Sequence, residues 1–257
     1  MFDLRGQTAI VTGAASGIGA ATTRRLARAG ANLVLAVHSP DGHNADAVLE
    51  DVRKVDAKAI LVETDVTSTE SVNNLVARAL STYGRVDIAV ANAAIARRHS
   101  VAELDDDAWR TTLNVNLHGV WRLFRAVLPH MSERGYGRLL ATSSVAGPFE
   151  AWEEHVHYSA AKSGIVGMIR SLAAEVGPSG ITVNAVAPGI IETPQTLDDV
   201  NSLGSAGIEK TANVQPIRRK GAPEDIAAAF HYLSSPDAGF VTGHLLLVDG
   251  GRTLLSA

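Results

Sequence analysis

Short apolar segments alternate along the chain with longer segments in which apolar residues recur at helical spacing. Seven segments rich in Val, Ile and Leu have the length of β-strands, and they span residues 8–11, 33–37, 59–62, 86–91, 138–142, 182–187 and 245–248. Their apolar character is continuous rather than alternating, which is typical of strands covered on both faces of a parallel sheet. Residues 20–29 and 67–83 carry an apolar stripe at helical spacing, and Gly30 and Gly84 follow where such helices would end.

The regular alternation of strand and helix predicts one α/β domain over residues 1–257, with a doubly wound, seven-stranded parallel sheet flanked by helices on both faces. No repeat or linker-like segment divides the chain. Residues 190–221 interrupt the alternation, because this segment is polar and too long for an ordinary connection. We interpret it as a candidate lid that covers a substrate site.

Composition narrows the possible partners. The chain has 257 residues, 46% of them apolar and 19% charged, which suits a folded domain with a large core and excludes disorder. Its 23 basic and 27 acidic residues give a net charge of -4, so no broad basic field is present to bind nucleic acid or an anionic membrane. Cysteine is absent, no apolar run reaches the roughly 18 residues of a membrane span, and residues 1–6 lack the apolar core of a signal peptide. These features favour a cytoplasmic protein that acts on a small molecule.

A glycine-rich turn follows the first predicted strand. Gly13, Gly17 and Gly19 form a Gly-x3-Gly-x-Gly arrangement that leads into a predicted helix. Glycine lets the backbone approach a ligand closely, and a helix N-terminus attracts the pyrophosphate of a dinucleotide. The alternative interpretation is a tight turn in which glycine serves packing alone.

Tyr158 and Lys162 have the spacing of an acid/base pair. They are four residues apart at the start of a predicted helix over residues 160–176, so they share one helix face. An ammonium about 4 Å from a phenol at an effective dielectric of about 20 would lower the phenol pKa by about three units. Ser144 follows the predicted strand 138–142, where its hydroxyl could polarise a carbonyl oxygen. The alternative for Tyr158 and Lys162 is a half-exposed surface pair.

Further motifs occur in order along the chain. They include residues 12–19, Asp65-Val66, Asn92-Ala93-Ala94, Asn116, Ser144, Tyr158 with Lys162, Pro188-Gly189 with Thr193, and residues 241–251. Together these motifs resemble the short-chain dehydrogenases/reductases, and the resemblance covers the whole chain. It implies a Rossmann-type fold, a nicotinamide dinucleotide cofactor and a homotetramer.

The same resemblance implies roles for individual residues. Tyr158 would be the general acid/base, Ser144 would orient the substrate oxygen, Lys162 would lower the tyrosine pKa and bind the nicotinamide ribose, and Asn116 would hold a proton-relaying water. The implied cofactor contacts are Gly13, Ser16, Gly17, Ile18, Gly19, His38, Asp65, Val66, Asn92, Ala93, Tyr158, Lys162, Pro188, Gly189, Ile191 and Thr193.

The end of the second predicted strand departs from the family pattern. Family members that prefer NAD usually have an acidic residue there, where this chain has Val37. The basic residue typical of members that prefer NADP is also missing, because Ser16 and His38 occupy the two usual positions. With no carboxylate to exclude a 2′-phosphate, and with Ser16, His38 and Ser39 as hydrogen-bond donors, the sequence favours NADP over NAD.

The interval from Ser144 to Tyr158 is one residue longer than the family spacing, which predicts a bulge over residues 148–157 at the pocket mouth. Trp152 and His155 in this insert, together with Ile190, are candidate substrate contacts. Glu154, His155 and His157 have side chains that can bind a metal ion, but three ligands so close in sequence would be strained, so we favour a solvated rim and predict no metal. Residues 105–107, three consecutive Asp, are interpreted as the N-terminal cap of a helix.

These observations predict an NAD(P)-dependent oxidoreductase that interconverts a secondary alcohol and a ketone by hydride transfer. A free substrate, such as a polyol, cyclic alcohol, hydroxy acid or steroid-like molecule, is favoured. The alternative is a 3-oxoacyl-(acyl-carrier-protein) reductase, for which Arg97, Arg98, Arg122 and Arg125 could form the docking patch. A hypothesis from another class is a catalytically silent nicotinamide-binding protein.

Overall fold

The computed structural model describes residues 2–255 as an α/β sandwich around one parallel sheet. Its strands are β1 (Thr8–Thr12), β2 (Asn32–Val37), β3 (Ala59–Glu63), β4 (Ile88–Ala91), β5 (Gly137–Thr142), β6 (Ile181–Pro188) and β7 (Leu245–Val248). All seven coincide with the predicted segments, so the predicted fold class is confirmed. Their order in the sheet is β3-β2-β1-β4-β5-β6-β7, and every neighbouring pair is parallel.

Helices cover both faces of the sheet. In chain order they are α1 (Gly17–Arg28), α2 (Asp46–Lys54), α3 (Thr69–Tyr83), α4 (Asp106–Leu113), α5 (Gly119–Arg134), α6 (Val156–Val176), α7 (Pro194–Leu197), α8 (Gly204–Val214) and α9 (Pro223–Ser234). Two clusters of buried apolar side chains lie on opposite faces of the sheet. One contains Ile10, Phe124 and Ile165, and the other contains Val11 and Phe230. Ile10 and Val11 are consecutive in β1 and point to opposite faces, which explains why the strands read as continuous apolar runs.

The sheet reverses its order between β1 and β4, and this reversal determines where a ligand can bind. β1 pairs with β2 on one side and with β4 on the other. The connections that follow β1 and β4 therefore diverge and leave a crevice at the carboxyl ends of the two strands.

Several predicted boundaries moved by a few residues for identifiable reasons. Helix α3 is capped by the Ser68 hydroxyl, which accepts a hydrogen bond from Ser71 N at 3.2 Å, and it ends at Gly84 with φ +71°. Asp105 caps α4 by accepting from Ala108 N at 2.8 Å, which confirms the predicted cap. Helix α6 begins at Val156 instead of residue 160 because His155 O accepts from Ser159 N at 2.9 Å and adds a turn.

Two irregular segments border the crevice. A five-residue π-helical turn, Asn114–His118, joins α4 to α5 and contains Asn116. Residues 190–221 contain α7 and α8, and a parallel bridge between Ile191 and Gly221 closes the base of this segment. Across residues 2–255, no helix has both the length and the apolar character needed to cross a membrane.

Candidate active site

A cavity of about 770 Å³ occupies the crevice at the carboxyl ends of the central strands. All the predicted cofactor contacts line it except Gly19: Gly13, Ser16, Gly17, Ile18, His38, Asp65, Val66, Asn92, Ala93, Tyr158, Lys162, Pro188, Gly189, Ile191 and Thr193. Gly19 faces the protein interior, where a Cβ would collide with the Gly13 carbonyl oxygen. Its glycine is therefore required for packing the start of α1 against the turn.

The glycine-rich turn fits a dinucleotide pyrophosphate. Gly13 has φ +65°, and a Cβ there would lie 3.0 Å from Ala93 Cα, so only glycine suits this position. The Ser16 side chain makes no hydrogen bond to the first turn of α1, which leaves backbone N–H groups of that turn for a ligand. Asn92 holds the floor of the crevice by donating from Nδ2 to Thr12 O at 3.2 Å and accepting from Thr142 Oγ1 at 3.0 Å.

Tyr158 and Lys162 lie one turn apart on α6 and are both almost fully buried, with exposed fractions of 6% and 2%. The alternative of a half-exposed surface pair is therefore wrong. Lys162 Nζ donates to Thr142 O at 2.8 Å and lies 5.5 Å from the centroid of the Tyr158 ring. Ser143, at the end of β5, donates from Oγ to Lys162 O at 2.9 Å, so the strand end and the helix are joined at this point.

The expected lowering of the Tyr158 pKa by Lys162 is wrong for this structure. Burial raises the pKa of Tyr158, and hydrogen bonds with Ser144 and Gln195 offset only part of the rise. Burial also lowers the pKa of Lys162 to about 7, so this side chain carries only part of a positive charge at neutral pH. Tyr158 is consequently a neutral phenol at neutral pH, the form that can donate a proton.

Ser144 and Gln195 approach the Tyr158 hydroxyl from two different elements. Ser144 follows β5, and its Oγ accepts from Ala146 N at 3.1 Å, which fixes the hydroxyl oxygen. Gln195 belongs to α7, within the candidate lid. It was not among the site residues predicted from sequence. No local pattern singles out this glutamine, because its proximity to Tyr158 depends on how residues 190–221 fold back over the crevice.

Asn116 lies behind the cavity and supports its wall. Its side chain is fully buried in the π-helical turn, where Oδ1 accepts from Ile95 N at 2.8 Å and Nδ2 donates to Ile95 O at 2.8 Å. Both hydrogen bonds fix the segment after β4 that lines the crevice. Such π-helical turns inside a helix are frequent at functional sites.

A carboxylate that no sequence motif singled out lies beside His38, which lines the crevice at the end of β2. Val37, the last residue of β2, is in register with Glu63, the last residue of β3. Glu63 accepts hydrogen bonds from Ser39 N at 2.9 Å and from the Ser39 hydroxyl, and its Oε1 lies 3.5 Å from His38 Nδ1. Two of the donors on which the preference for NADP depended are thus occupied or faced by an acid.

A second cavity of about 110 Å³ shares Ser144, Tyr158, Gly189 and Gln195 with the larger one. Its walls include the predicted substrate contacts Trp152 and Ile190, and also Leu203, Glu150 and Arg252. The sequence analysis missed Arg252, which follows β7 near the end of the described chain.

His155 lies beneath Trp152 and does not line either cavity. It is fully buried and stacks on the Trp152 ring with centroids 3.6 Å apart. Its Nδ1 contacts Glu153 O at 2.8 Å and its Nε2 contacts Asn201 O at 3.0 Å, so it joins the insert to the candidate lid. The side chain that reaches the cavity is Trp152, which His155 orients.

Glu154 and His157, which were considered as metal ligands, contact different partners. Glu154 forms an ion pair with Arg98 at 3.3 Å, and the His157 ring is fully buried with its edge toward His99 at a centroid distance of 5.5 Å. Over residues 2–255, no group of three or more His, Cys, Asp or Glu side chains is arranged to hold a metal ion.

The arginines considered for docking a carrier protein are mostly engaged within the molecule. Arg98 also donates to Ser202 O at 2.9 Å, and Arg97 donates to Ala96 O at 2.8 Å. Arg122 donates to the Asn114 side chain at 2.7 Å, whereas Arg125 has a long contact of 3.4 Å to Thr69 Oγ1.

Comparison with known proteins finds relatives that match nearly the whole chain. A family model described as Enoyl-(Acyl carrier protein) reductase matches residues 13–253. The chain is 42% identical to cis-4-hydroxycyclohexanecarboxylate dehydrogenase from Sinomonas cyclohexanicum, over 96% of both chains. It is 34% identical to the 3-oxoacyl-(acyl-carrier-protein) reductase FabG of Thermotoga maritima, over 98% of this chain and 99% of that protein. The crystal structure of levodione reductase superposes with a TM-score of 0.91 at 32% identity, over 98% of this chain and 100% of that one.

Proposed function

The chain belongs to the short-chain dehydrogenase/reductase family and is an oxidoreductase, and from this premise we propose that it interconverts a secondary alcohol and a ketone of a free small molecule. A nicotinamide dinucleotide bound in the 770 Å³ cavity supplies the hydride donor or acceptor. The observation that carries the proposal is the pair of joined cavities with Ser144 and Tyr158 at their junction.

The mechanism follows from the protonation state of Tyr158. Because burial raises the pKa of Tyr158, its hydroxyl is protonated at neutral pH and can donate to a carbonyl oxygen during reduction. The Ser144 hydroxyl, held by Ala146 N, orients the same oxygen. Oxidation of an alcohol needs the deprotonated tyrosine, so it is favoured at higher pH. Lys162, anchored to Thr142 O, faces the dinucleotide cavity, where it would hold the ribose of the cofactor.

The size and lining of the second cavity favour a compact substrate. Its volume is about 110 Å³, and the Trp152, Ile190 and Leu203 side chains provide apolar surface beside the reacting groups. A cyclic alcohol or ketone fits these features. This substrate class is also consistent with the 42% identical relative, which is named for a hydroxycyclohexanecarboxylate.

The alternative, reduction of an acyl-carrier thioester, has the 34% identical FabG and the description of the family model in its favour. Docking an acidic carrier requires accessible positive charge near the entrance. Arg98 is paired with Glu154, and Arg122 is bound to Asn114, so two of the four arginines are already engaged within the molecule. A free substrate is therefore the better supported class.

We infer further that NAD(H) is the preferred cofactor, in contrast to the expectation from sequence. A 2′-phosphate on the adenosine ribose would approach the end of β2, where Glu63 adds a negative charge beside His38 and engages both donors of Ser39. Fluorescence titration should give tighter binding of NADH than of NADPH. Glu63→Gln should lower the ratio of the Kd for NADPH to the Kd for NADH by about tenfold. Glu70→Gln, which removes an exposed carboxylate of α3, should leave this ratio unchanged. A wild-type protein that binds NADPH more tightly would contradict this inference.

The homotetramer and the cytoplasmic location stay predictions. Fully exposed Phe240 and largely exposed Leu254 lie near the C-terminal strand and support burial against another copy of the chain. Light scattering at micromolar concentration tests the assembly.

The test of the proposed activity is a reductase assay with NADH and two probe classes, cyclohexanones and an acetoacetyl thioester of N-acetylcysteamine. We expect turnover of the cyclic ketone, and at least a 100-fold loss of turnover in Tyr158→Phe with unchanged NADH binding. Tyr83→Phe, outside both cavities, is the matched control. Preference for the thioester would favour the carrier-protein alternative, and cofactor binding without turnover of any carbonyl probe would favour a silent binding protein.

A further inference from the structure

Arg252 is a charged side chain in the substrate cavity for which the proposed mechanism has no use. It begins the short 3-10 helix Arg252–Leu254 after β7 and lines the cavity that contains Ser144 and Tyr158. Its side chain is 31% exposed. A cation facing a small, largely apolar cavity is costly unless a partner compensates it, so this position calls for an explanation.

Glu150 binds the Nε side of the Arg252 guanidinium. Arg252 Nε donates to Glu150 Oε2 at 2.8 Å. Glu150 is itself fixed in a tight loop, because its backbone N donates to Val145 O at 2.9 Å and its carbonyl accepts from Gly147 N at 2.8 Å. The ion pair therefore sets the orientation of the guanidinium plane. Among contacts within residues 2–255, neither Nη group donates a hydrogen bond, although each carries two N–H donors.

The position of Arg252 relative to the reacting groups is set by the sheet. Ser144 follows β5, Ile190 follows β6 and Arg252 follows β7, and these strands are consecutive in the sheet. At this end of the sheet, Ser144, Ile190 and Arg252 all line the same cavity. Ile190 and Leu203 provide apolar wall in the same cavity. The cavity thus offers a carbonyl-binding group, an apolar wall and a cationic fork.

We propose that the two Nη groups of Arg252 bind a carboxylate of the substrate, so that the substrate is a cyclic hydroxy acid or the corresponding keto acid. A planar guanidinium held at Nε presents its remaining N–H groups as a fork that matches the two oxygens of a carboxylate. Glu150 reduces the net charge at this point, but it leaves the fork as a donor surface that only an acceptor can satisfy. This proposal rests on the proposed function and adds the chemical group by which the substrate is recognised.

The experiment compares two ketones of similar shape at pH 7.5 with saturating NADH. The probes are 4-oxocyclohexanecarboxylate and 4-methylcyclohexanone, and the measured quantity is the ratio of their kcat/KM values. We expect the wild-type protein to prefer the carboxylate probe by roughly tenfold to 100-fold, as for one charge-assisted interaction. Arg252→Met should reduce this preference to less than threefold while changing kcat/KM for 4-methylcyclohexanone little.

Three further variants separate binding from structure. Arg218→Met removes an exposed arginine that lines neither cavity and should leave the preference unchanged. Arg252→Lys keeps the charge without the fork and should retain only part of the preference. Glu150→Gln removes the competing negative charge and should increase the preference, whereas a purely structural ion pair would give no gain.

The outcomes distinguish the two levels of inference. If both probes are reduced with equal efficiency, the proposed function stands and the carboxylate proposal is wrong. If Arg252→Met leaves the preference for the carboxylate probe unchanged, the carboxylate binds elsewhere, and the assignment to Arg252 is overturned. If neither probe nor any other cyclic ketone is reduced, the proposed function itself fails.

Discussion

Replacing Lys162 with methionine tests whether burial in the folded protein lowers the pKa of this lysine. Lys162 is 2% exposed, and burial lowers its pKa from 10.5 to about 7. Between these two values the unfolded chain binds a proton that the folded protein has released. Because the state with fewer bound protons is favoured as pH rises, this group makes the folded protein more stable as pH rises from 7 toward 10.5 and less stable as pH falls.

The magnitude follows from the size of the pKa change. The slope approaches about 1.4 kcal/mol per pH unit where the two protonation states differ fully. Starting from half-protonated Lys162 at pH 7, the free energy of unfolding should gain about 2 kcal/mol by pH 9 from this side chain alone. Lys162→Met loses that gain, although it keeps the volume of the side chain. Tyr158 does not contribute in this interval, because burial raises its pKa above the usual value of 10.

The assay is urea denaturation of the cofactor-free protein at pH 7, 8 and 9, at one protein concentration and ionic strength. The difference in unfolding free energy between the wild type and Lys162→Met isolates Lys162, since the other titrating groups are common to both. This difference should change by about 2 kcal/mol over the interval, in favour of the wild type as pH rises. Lys58→Met, which removes an exposed lysine, is the control for loss of a lysine. Parallel pH dependences of the wild type and Lys162→Met would refute the argument.

Two further predictions concern the lid and the glycine-rich turn. Gln195→Leu removes a hydrogen bond that lowers the pKa of Tyr158, so this pKa should rise. In pH profiles of kcat/KM, the decline of reduction and the rise of oxidation should both shift to higher pH, by about one unit at most. An unchanged profile would show that Gln195 does not act on Tyr158. Gly19→Ala places a Cβ against the Gly13 carbonyl oxygen and should cost about 2 kcal/mol or more in urea denaturation and weaken NADH binding. Wild-type stability and affinity in this variant would contradict the packing role of Gly19.

The central strands β1, β2, β4, β5 and β6 could be predicted from sequence because they are buried on both faces and therefore form continuous apolar runs. The edge strands β3 and β7 are only partly buried, but their apolar runs also have the length of a strand. Boundaries were less certain where hydrogen bonds outside the hydrophobic pattern decide them. The bond from Ser159 N to His155 O starts α6 before the apolar stripe, and Ile88 instead of residue 86 begins β4.

The chemistry at α6 was also accessible, because Tyr158 and Lys162 are joined by local helical geometry. The pKa changes of Tyr158 and Lys162 could not be predicted from sequence, since the burial that causes them depends on the whole fold. The spacing suggested an ammonium close to the phenol, whereas Lys162 Nζ donates to Thr142 O and lies 5.5 Å from the Tyr158 ring centroid. Desolvation then dominates and reverses the expected direction of the tyrosine pKa change.

The missed residues share a different cause. Gln195 and Arg252 line the substrate cavity from the candidate lid and from the segment after β7, and Glu63 lies beside His38 at the end of β3. No motif joins these three residues to Tyr158 in sequence. Only Glu63 had a usable signal, because β2 and β3 have similar lengths and end in register, which places Glu63 beside Val37. If NAD(H) is preferred as proposed, Glu63 at the end of the neighbouring strand would take the place of the acidic residue absent from β2.

The reacting groups and the groups that would select a substrate belong to different parts of the chain. Tyr158, the proposed proton donor, and Ser144, which would orient the substrate oxygen, are positioned by α6 and by the end of β5. The groups that would select a substrate, Leu203 and Arg252, lie on the candidate lid and on the segment after β7. If the proposed roles hold, a change at Arg252 would alter which ketone binds without moving Tyr158, and a change at Gln195 would alter proton transfer without removing the guanidinium. Selection and chemistry meet in one small cavity but depend on separate parts of the chain.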